Sequence, residues 1–445
     1  MEIFYGKCGI GRIKLKLEPI GKCSRCRKNN AIIEIRYAKQ KLCQSCFNDF
    51  FINRIKRVVE EFKMFNKNER IAVAVSGGKD SVALLHALKM AFKDQNIFAF
   101  YINLGIKYYS DHLEKKVIKL CEDLKVPLEI YNLKEKEGYT IDDFLITKYK
   151  DKMCSVCGTI KRNIFTLLSV KVNANALATG HNLDDTVSTM MSLFLSGDLE
   201  GIRKLKPVLK PLLNGYPRKI KPLITTPEIE DLYYVSLNEL PVQECSCPHG
   251  EITTIKQIKN WVDELEKTQP DIKFRLLSIF RKKIIPLYEK NLSEELEDIK
   301  ACSICSMPSN SEICSKCKRV LELKEYKQKL EDLKIEIDYK ELQEMLKENN
   351  VIVIDVRSSD EMNELKIENS INIPSEEIEK HLRNLLKFKK THKIVLYCNS
   401  GRKSYALTIR LRNIGFKAYN LKDGILALNF SDYENLLSSS WSNGL

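Results

Sequence analysis

An apolar run, Ile71 to Val75, breaks into Ser76-Gly77-Gly78-Lys79-Asp80-Ser81 and passes at once into a helical pattern, Ser81 to Phe92. No other stretch constrains the fold as strongly, because a buried strand that feeds a helix through a short glycine loop belongs in a parallel sheet. The pattern then repeats. Ile97 to Leu104, Pro127 to Leu133 and Ala176 to Thr179 read as strands, with helices over Leu113 to Leu124 and Ile160 to Val170. Alternation of this kind predicts an α/β fold with a doubly wound parallel sheet over residues 70 to about 290. The loop itself predicts an anion site. Gly77 and Gly78 let backbone approach a ligand, the helix beyond presents unpaired N–H groups, Lys79 adds charge, and Ser76 and Ser81 add hydroxyls. The spacing of the common P-loop, four residues before Gly-Lys, is absent.

Downstream, Thr179-Gly180-His181-Asn182-Leu183-Asp184-Asp185 follows another short strand, which should bring it to the same sheet edge. Adjacent carboxylates beside phosphates can hold Mg2+, or one can polarise the attacking group; the alternative is a helix cap at Asn182 or Asp184. SGGKDS in this context resembles the signature of the N-type ATP pyrophosphatases of the PP-loop superfamily, with their adenine nucleotide alpha hydrolase-like fold. That resemblance implies cleavage of ATP to AMP and pyrophosphate as a carbonyl oxygen is adenylated. It makes Ser76, Gly77, Gly78, Lys79, Asp80, Ser81, Gly180, His181 and Asp184 the expected ATP-binding residues.

Fifteen cysteines need a second explanation. The chain opens MEIFYGKCGI, without the apolar stretch of a secretory signal, and contains no run of about 18 apolar residues. The expectation is a cytoplasmic, membrane-free protein whose thiols stay reduced and serve as metal ligands or nucleophiles. Cys23-x-x-Cys26 with Cys43-x-x-Cys46, and Cys302-x-x-Cys305 with Cys314-x-x-Cys317, are paired knuckles with the spacing of closed four-thiolate zinc sites. Two Zn2+ are therefore expected, each folding a small module and presenting basic residues such as Arg25, Arg27, Lys28, Lys316, Lys318 and Arg319.

Charge points to a polyanion. Residues 332 to 445 carry 17 basic and 17 acidic side chains, so the net charge of +14 falls entirely in residues 1 to 331. Cys154-Ser155-Val156-Cys157-Gly158 comes just before a helix bearing Lys161 and Arg162, and Cys247-Pro248 lies far downstream. With GHNLDD and the flanking knuckles, this arrangement resembles the tRNA 2-thiouridine synthetases of the TtuA type, and more distantly the 2-thiocytidine synthetases. The resemblance spans roughly residues 1 to 320. It implies tRNA as partner, an iron-sulfur cluster (4Fe-4S) held by Cys154, Cys157 and Cys247, catalytic roles for Lys161 and Asp185, and a possible homodimer. Three thiolates leave one iron open to carry sulfur. Cys245 stands two residues from Cys247 as a rival third ligand, and Thr186 replaces the usual acidic residue after the Asp pair.

The final segment has its own chemistry. VIVIDVR (residues 351 to 357) and the strand Lys393 to Tyr397 lead to Cys398-Asn399-Ser400-Gly401-Arg402-Lys403-Ser404, a thiol on a loop that opens a helix. Converging N–H groups there favour a thiolate or persulfide anion. These residues resemble the rhodanese sulfurtransferases, which implies Cys398 as persulfide carrier, with Gly401, Arg402 and Ser404 in its cradle. Leu365-Lys366 and Leu428 depart from the usual Gly-His and late tryptophan. The domains read as a zinc module (1–48), a catalytic domain (49–298), a second zinc module (299–320), a helical linker (321–337) and a rhodanese-like domain (338–445). The function expected is ATP-dependent tRNA thiolation with sulfur relayed from Cys398, the donor being a cysteine desulfurase, sulfide or a ubiquitin-like thiocarboxylate carrier. The alternatives are cytidine thiolation, or a sulfur-trafficking scaffold with an inactive ATPase.

Overall fold

The computed structural model describes residues 2–5, 11–14, 17–107, 109–242, 247–250, 254–291, 299–330, 334–348 and 350–427. Cys245 and Leu428 lie outside these residues. Among the described residues no helix is long and apolar enough to cross a membrane. The chain divides into two compact units, residues 1–139 with 157–317 and residues 140–156 with 318–445.

The larger unit is built on a six-stranded sheet. In chain order its strands are β1 (Arg70–Ala74), β2 (Asn96–Asn103), β3 (Leu128–Asn132), β4 (Ala176–Ala178), β5 (Val208–Leu209) and β6 (Arg218–Ile220). Their spatial order is β3-β2-β1-β4-β6-β5, parallel except for the terminal β6–β5 pair. Ile71, Ala72 and Val73 are wholly buried, as strands covered on both faces require. From β1 the chain winds outward to β2 and β3, then returns to place β4 on the other side. Strand order therefore reverses between β1 and β4, where an open α/β sheet leaves a crevice at its carboxyl ends.

Helix α1 (Gln44–Glu61) buries Phe47, Phe51, Ile55, Val58 and Val59 along one stripe. Ahead of it, Ile33–Ile35 pairs antiparallel with Gln40–Leu42 and turns Ile33, Ile35 and Leu42 inward. A buried ion pair ties this hairpin, α1 and helix α6 (Glu228–Leu237) together. Arg54 Nη1 lies 2.6 Å from Glu230 Oε2, and the Tyr37 hydroxyl donates to Glu230 Oε1 at 2.6 Å. Helices between these points are α2 (Lys79–Ala91), α3 (Ser110–Leu124), α4 (Met153–Lys171) and α5 (Leu183–Leu195). After α6 come α7 (Thr254–Thr268) and α8 (Ile272–Ile279).

The smaller unit contains helix α9 (Ser315–Leu330) from Lys318 onward and a five-stranded parallel sheet. Its strands are β7 (Glu336–Ile337), β8 (Val351–Asp355), β9 (Ile371–Asn372), β10 (Lys393–Tyr397) and β11 (Lys417–Leu421), in the order β7-β11-β10-β8-β9. Helix α10 (Arg402–Asn413) follows β10.

Two expectations about helix limits are corrected. α4 begins at Met153, so Cys154 to Gly158 form its first turns instead of preceding it. The charged helix expected over 321–337 runs over Ser315–Leu330, because the last cysteine pair, Cys314 and Cys317, supplies its first turn, and Glu336–Ile337 pairs with Asn420 and Leu421 as a strand. Removing one partner of the buried Arg54–Glu230 pair strands the other charge. Glu230→Ala should therefore cost about 3–5 kcal/mol in denaturant unfolding, and a loss under ~1 kcal/mol would show that the pair is not structural.

Candidate active site

The loops after β1 and β4 meet at the switch point of the larger sheet. A Cβ added to Gly180 would sit 3.0 Å from Ser81 N and 3.1 Å from the Asp80 carbonyl carbon, so only glycine allows the two backbones this close. Ser81 Oγ accepts from the Ser76 amide at 3.1 Å and donates to the Gly78 carbonyl at 3.0 Å, which folds the loop back on the helix it opens. Asn182 caps α5 by accepting the Asp185 amide at 3.0 Å. Its Nδ2 reaches across to Asp80 Oδ1 at 3.2 Å and to the buried Asp231 Oδ2 at 3.3 Å. Enclosure and the nearby Asp80 charge raise the Asp231 pKa well above the usual carboxylate range.

The two adjacent carboxylates divide their roles. Asp184 is buried and both its oxygens are engaged, one by Lys273 Nζ at 2.5 Å and the other by the Glu228 amide at 2.7 Å. It anchors α8 and the start of α6 to the site. Asp185 keeps 43% of its side chain exposed. Crowding, with the Asp80 and Glu228 charges, lifts its pKa against the pull of Lys259.

Two residues here were missed by sequence reasoning, Glu228 and Lys259. Glu228 takes Lys79 Nζ at 2.5 Å and Lys259 Nζ at 2.5 Å, and Lys259 also lies 3.5 Å from Asp185 Oδ1. Enclosure opposes ionisation of Glu228, but these two ammoniums hold it down to about 2. No local pattern reveals the pairing, because Lys79 and Glu228 are 149 positions apart. A carboxylate thus sits against the lysine of the phosphate loop, with a second lysine beside it.

On α4, Cys154 and Cys157 stand three residues apart on one face of the first turns, exposed and half-buried respectively. Lys161 follows one turn later, and its charge reaches His181. Partial enclosure, then Lys221, Lys161 and Arg162, push the His181 pKa below its ordinary value, although the residue is exposed at the surface. Thr179 Oγ1 holds Nδ1 of that ring at 2.8 Å. Cys247 is half-buried and opens a tight turn closed by the Gly250 amide on its carbonyl at 2.8 Å. Lys221 is buried, donating to the carbonyls of Lys204 and Lys206, and burial beside Lys219 holds its pKa at about 8.

Both sets of paired knuckles assemble. The sulfurs of Cys23, Cys26, Cys43 and Cys46 all lie within 4.8 Å of one another, as do those of Cys302, Cys305, Cys314 and Cys317. Four sulfurs about 2.3 Å from one zinc define a tetrahedron with edges of about 3.8 Å. Cys26 and Cys43 are 3.8 Å apart and Cys305 and Cys314 3.6 Å, so the donor sets fit the ion. Backbone N–H groups aimed at Cys23 and Cys302 outweigh burial and bring each thiol to about 6, ready to bind as thiolate. Asn163 of α4 points its amide at Cys305 and Cys314, at 3.7 and 3.9 Å. Lys316, expected on the surface, is buried against Glu137 at 2.5 Å, whereas Arg25, Arg27, Lys28 and Lys318 are exposed.

In the smaller unit Cys398 is buried at the carboxyl end of β10, and Ser404 Oγ donates to its sulfur at 3.3 Å. Gly401 caps α10 and Arg402 Nε reaches Ser400 Oγ at 2.8 Å. The turn at Gly424 clasps this loop, since its Cβ would fall 2.1 Å from the Cys398 carbonyl oxygen, which accepts the Ile425 amide at 2.9 Å.

Comparison with known proteins agrees with this layout. Residues 48–230 match the PP-loop domain, residues 22–48 the N-terminal LIM domain of the 2-thiouridine synthetase TtuA, and residues 338–429 the rhodanese-like domain. The chain is 37% identical over 297 residues to a tRNA-5-methyluridine(54) 2-sulfurtransferase of Pyrococcus horikoshii, a match covering 67% of this chain and 93% of that protein. The chain belongs to the TtuA/NcsA-type tRNA 2-thiolation enzymes. A second TtuA-type relative, the tRNA-5-methyluridine(54) 2-sulfurtransferase of Thermotoga maritima, is 30% identical over 69% of this chain and 99% of its own. Among solved structures, the U34-tRNA thiolase NcsA from Methanococcus maripaludis with its [4Fe-4S] cluster is 28% identical, with a TM-score of 0.56 over 68% of this chain and 96% of that one. Each of those matches covers under 70% of this chain, and residues 338–429 match a rhodanese-like domain in addition.

Gly180→Ala forces the two loops apart and should weaken ATP binding by tenfold or more, about 1.4 kcal/mol, in calorimetric titration, with the far-UV spectrum unchanged. Unaltered affinity would sever the contact from nucleotide binding. Lys221 gives a pH test. Its folded pKa lies below the unfolded value, so the unfolded chain binds more protons between about 8 and 10.4. Wild type should therefore gain about 2 kcal/mol on Lys221→Met between about pH 7.5 and 10; a constant difference would contradict the assignment.

Proposed function

We propose that this enzyme activates a tRNA uridine with ATP and exchanges its 2-oxygen for sulfur, and that Cys398 supplies the sulfur as a persulfide. The observation that carries this reading is the placement of Lys161, one turn after Cys157, with its charge on His181 beside Asp185 at the phosphate loop. This supports a reading in which the helix that bears the two cysteines serves the nucleotide site.

ATP phosphates would rest on the amides of Ser76 to Ser81 and the α2 N-terminus, with Lys79 and Lys259 turning from Glu228 to the phosphates. Glu228, Asp185 and Asp80 are then left as oxygen ligands for Mg2+, which suits that ion and would neutralise the leaving pyrophosphate. Attack of the uridine O2 on the α-phosphorus gives an adenylated base and releases pyrophosphate; Lys161 balances the charge that develops. By the family resemblance Cys154, Cys157 and Cys247 would be the thiolate ligands of an iron-sulfur site, and Cys154 and Cys157 share one turn of α4. Such a cluster, when bound, would offer an open iron for sulfur. Sulfur at C2 displaces AMP, the leaving group that adenylation provided. Exposed Arg25, Arg27, Lys28 and Lys318 provide charge for the tRNA backbone.

In the relay, the outer sulfur of a Cys398 persulfide is at the zero oxidation level. Its release as hydrosulfide takes two electrons from a thiol reductant, which becomes a disulfide, and regenerates the Cys398 thiol. Tethering the carrier to the catalytic chain raises its effective concentration.

The test is anaerobic turnover of cluster-loaded enzyme with ATP and tRNA, followed by nucleoside mass spectrometry. Wild type should form 2-thiouridine, AMP and pyrophosphate with either sulfide or a protein persulfide as donor. Cys398→Ser should abolish the persulfide-driven reaction and spare the sulfide-driven one; equal loss of both rejects the relay, and 2-thiocytidine as product rejects the uridine assignment.

A further inference from the structure

Thr140–Val156 falls in the stretch that matches the PP-loop domain, yet it packs in the smaller unit with residues 318–445. It consists of two single-turn 3-10 helices, Asp142–Ile146 and Lys150–Lys152, and then the opening of α4 with Cys154. Ile141 and Phe144 are wholly buried, and the first of these turns packs on α10. Helix α9 grips the segment from its own side. Lys327 Nζ lies 2.8 Å from Asp143 Oδ2, and Glu322 Oε2 takes Lys148 at 2.7 Å and the Tyr149 hydroxyl at 3.2 Å. Arg319 donates to Ser155 Oγ at 3.1 Å, next to Cys154.

One contact concerns the sulfur loop directly. Asp142 Oδ2 lies 3.6 Å from Nη1 of Arg402, the arginine of the Cys398 loop, and each side chain is only 15% exposed. A carboxylate so placed does two things. It offsets the charge of Arg402, one of two guanidiniums at this loop with Arg357, whose Nη1 donates to Asn399 Oδ1 at 3.2 Å, and its own charge repels a small dianion in a partly desolvated setting. It also fastens the loop to the segment that carries Cys154.

We propose that Asp142 is a specificity-determining residue, which turns the Cys398 loop away from small anionic sulfur compounds and towards delivery within the chain. This rests in part on the relay proposed above. The excluded reactions are redox-neutral. Thiosulfate would pass its outer sulfur to the Cys398 thiolate with sulfite leaving, and cyanide would remove that sulfur as thiocyanate and restore the thiolate. Neither gains the electrostatic welcome that an unmasked Arg402 would give.

The experiment uses the full-length, cluster-loaded enzyme and compares wild type, Asp142→Asn and Asp142→Glu in three assays. These are thiosulfate:cyanide turnover, protein-persulfide-driven tRNA thiolation and sulfide-driven tRNA thiolation. For Asp142→Asn, kcat/KM for thiosulfate should rise about tenfold, the worth of one unit charge in such a site, while persulfide-driven thiolation falls by a similar factor. Sulfide-driven thiolation should stay at the wild-type level, which shows the fold intact, and Asp142→Glu should restore the wild-type pattern. An unchanged or lower kcat/KM for thiosulfate in Asp142→Asn overturns the proposal. If Cys398→Ser retains persulfide-driven thiolation, the relay falls, and the thiosulfate measurement alone then decides the role of Asp142.

Discussion

Two loops from strands that are neighbours in space but about a hundred residues apart in sequence come into backbone contact at Gly180 and Ser81, where a single methyl group would intrude. The other features of the nucleotide site follow from that approach. It brings Asn182 within reach of Asp80 and sets Asp185 facing the phosphate loop. It also places the start of α6, with Glu228, over Lys79. The parallel sheet makes the approach possible because strand order reverses at this point, so that two carboxyl ends diverge around one crevice.

The chain keeps this crevice electrically balanced. Lys79 and Lys259 share Glu228, while Lys273 neutralises Asp184 below. Unpaired, any of these enclosed charges would be costly. Pairing lets these charges sit in the crevice at low cost.

Much of this was legible in the sequence because it is local. Strand, glycine loop and helix are consecutive from Arg70 to Ala91, and four-residue knuckles announce the two four-cysteine clusters through spacing alone. Cys398 at the end of a buried strand is equally local. What escaped is long-range. Glu228, Lys259, Asp142 and the Arg54–Glu230 pair owe their roles to partners far away in the chain, and each reads locally as an ordinary charge on a helix or turn. Asp184 hides a partner for the same reason. Beside Asp185 it looks like half of a ligand pair, and its contact with Lys273, 89 positions on, has no local signal. Helix limits moved for a related cause, since knuckle cysteines that appear to sit in loops also start helices, as at Ser315.

Asn163 leans on two thiols of the second knuckle set from the same helix that bears Cys157 and Lys161. An ion there would draw electron density from those sulfurs and fix the rim against which the helix rests. A metal held by that set would thus bear on how α4 is seated as well as on the fold of its own loop.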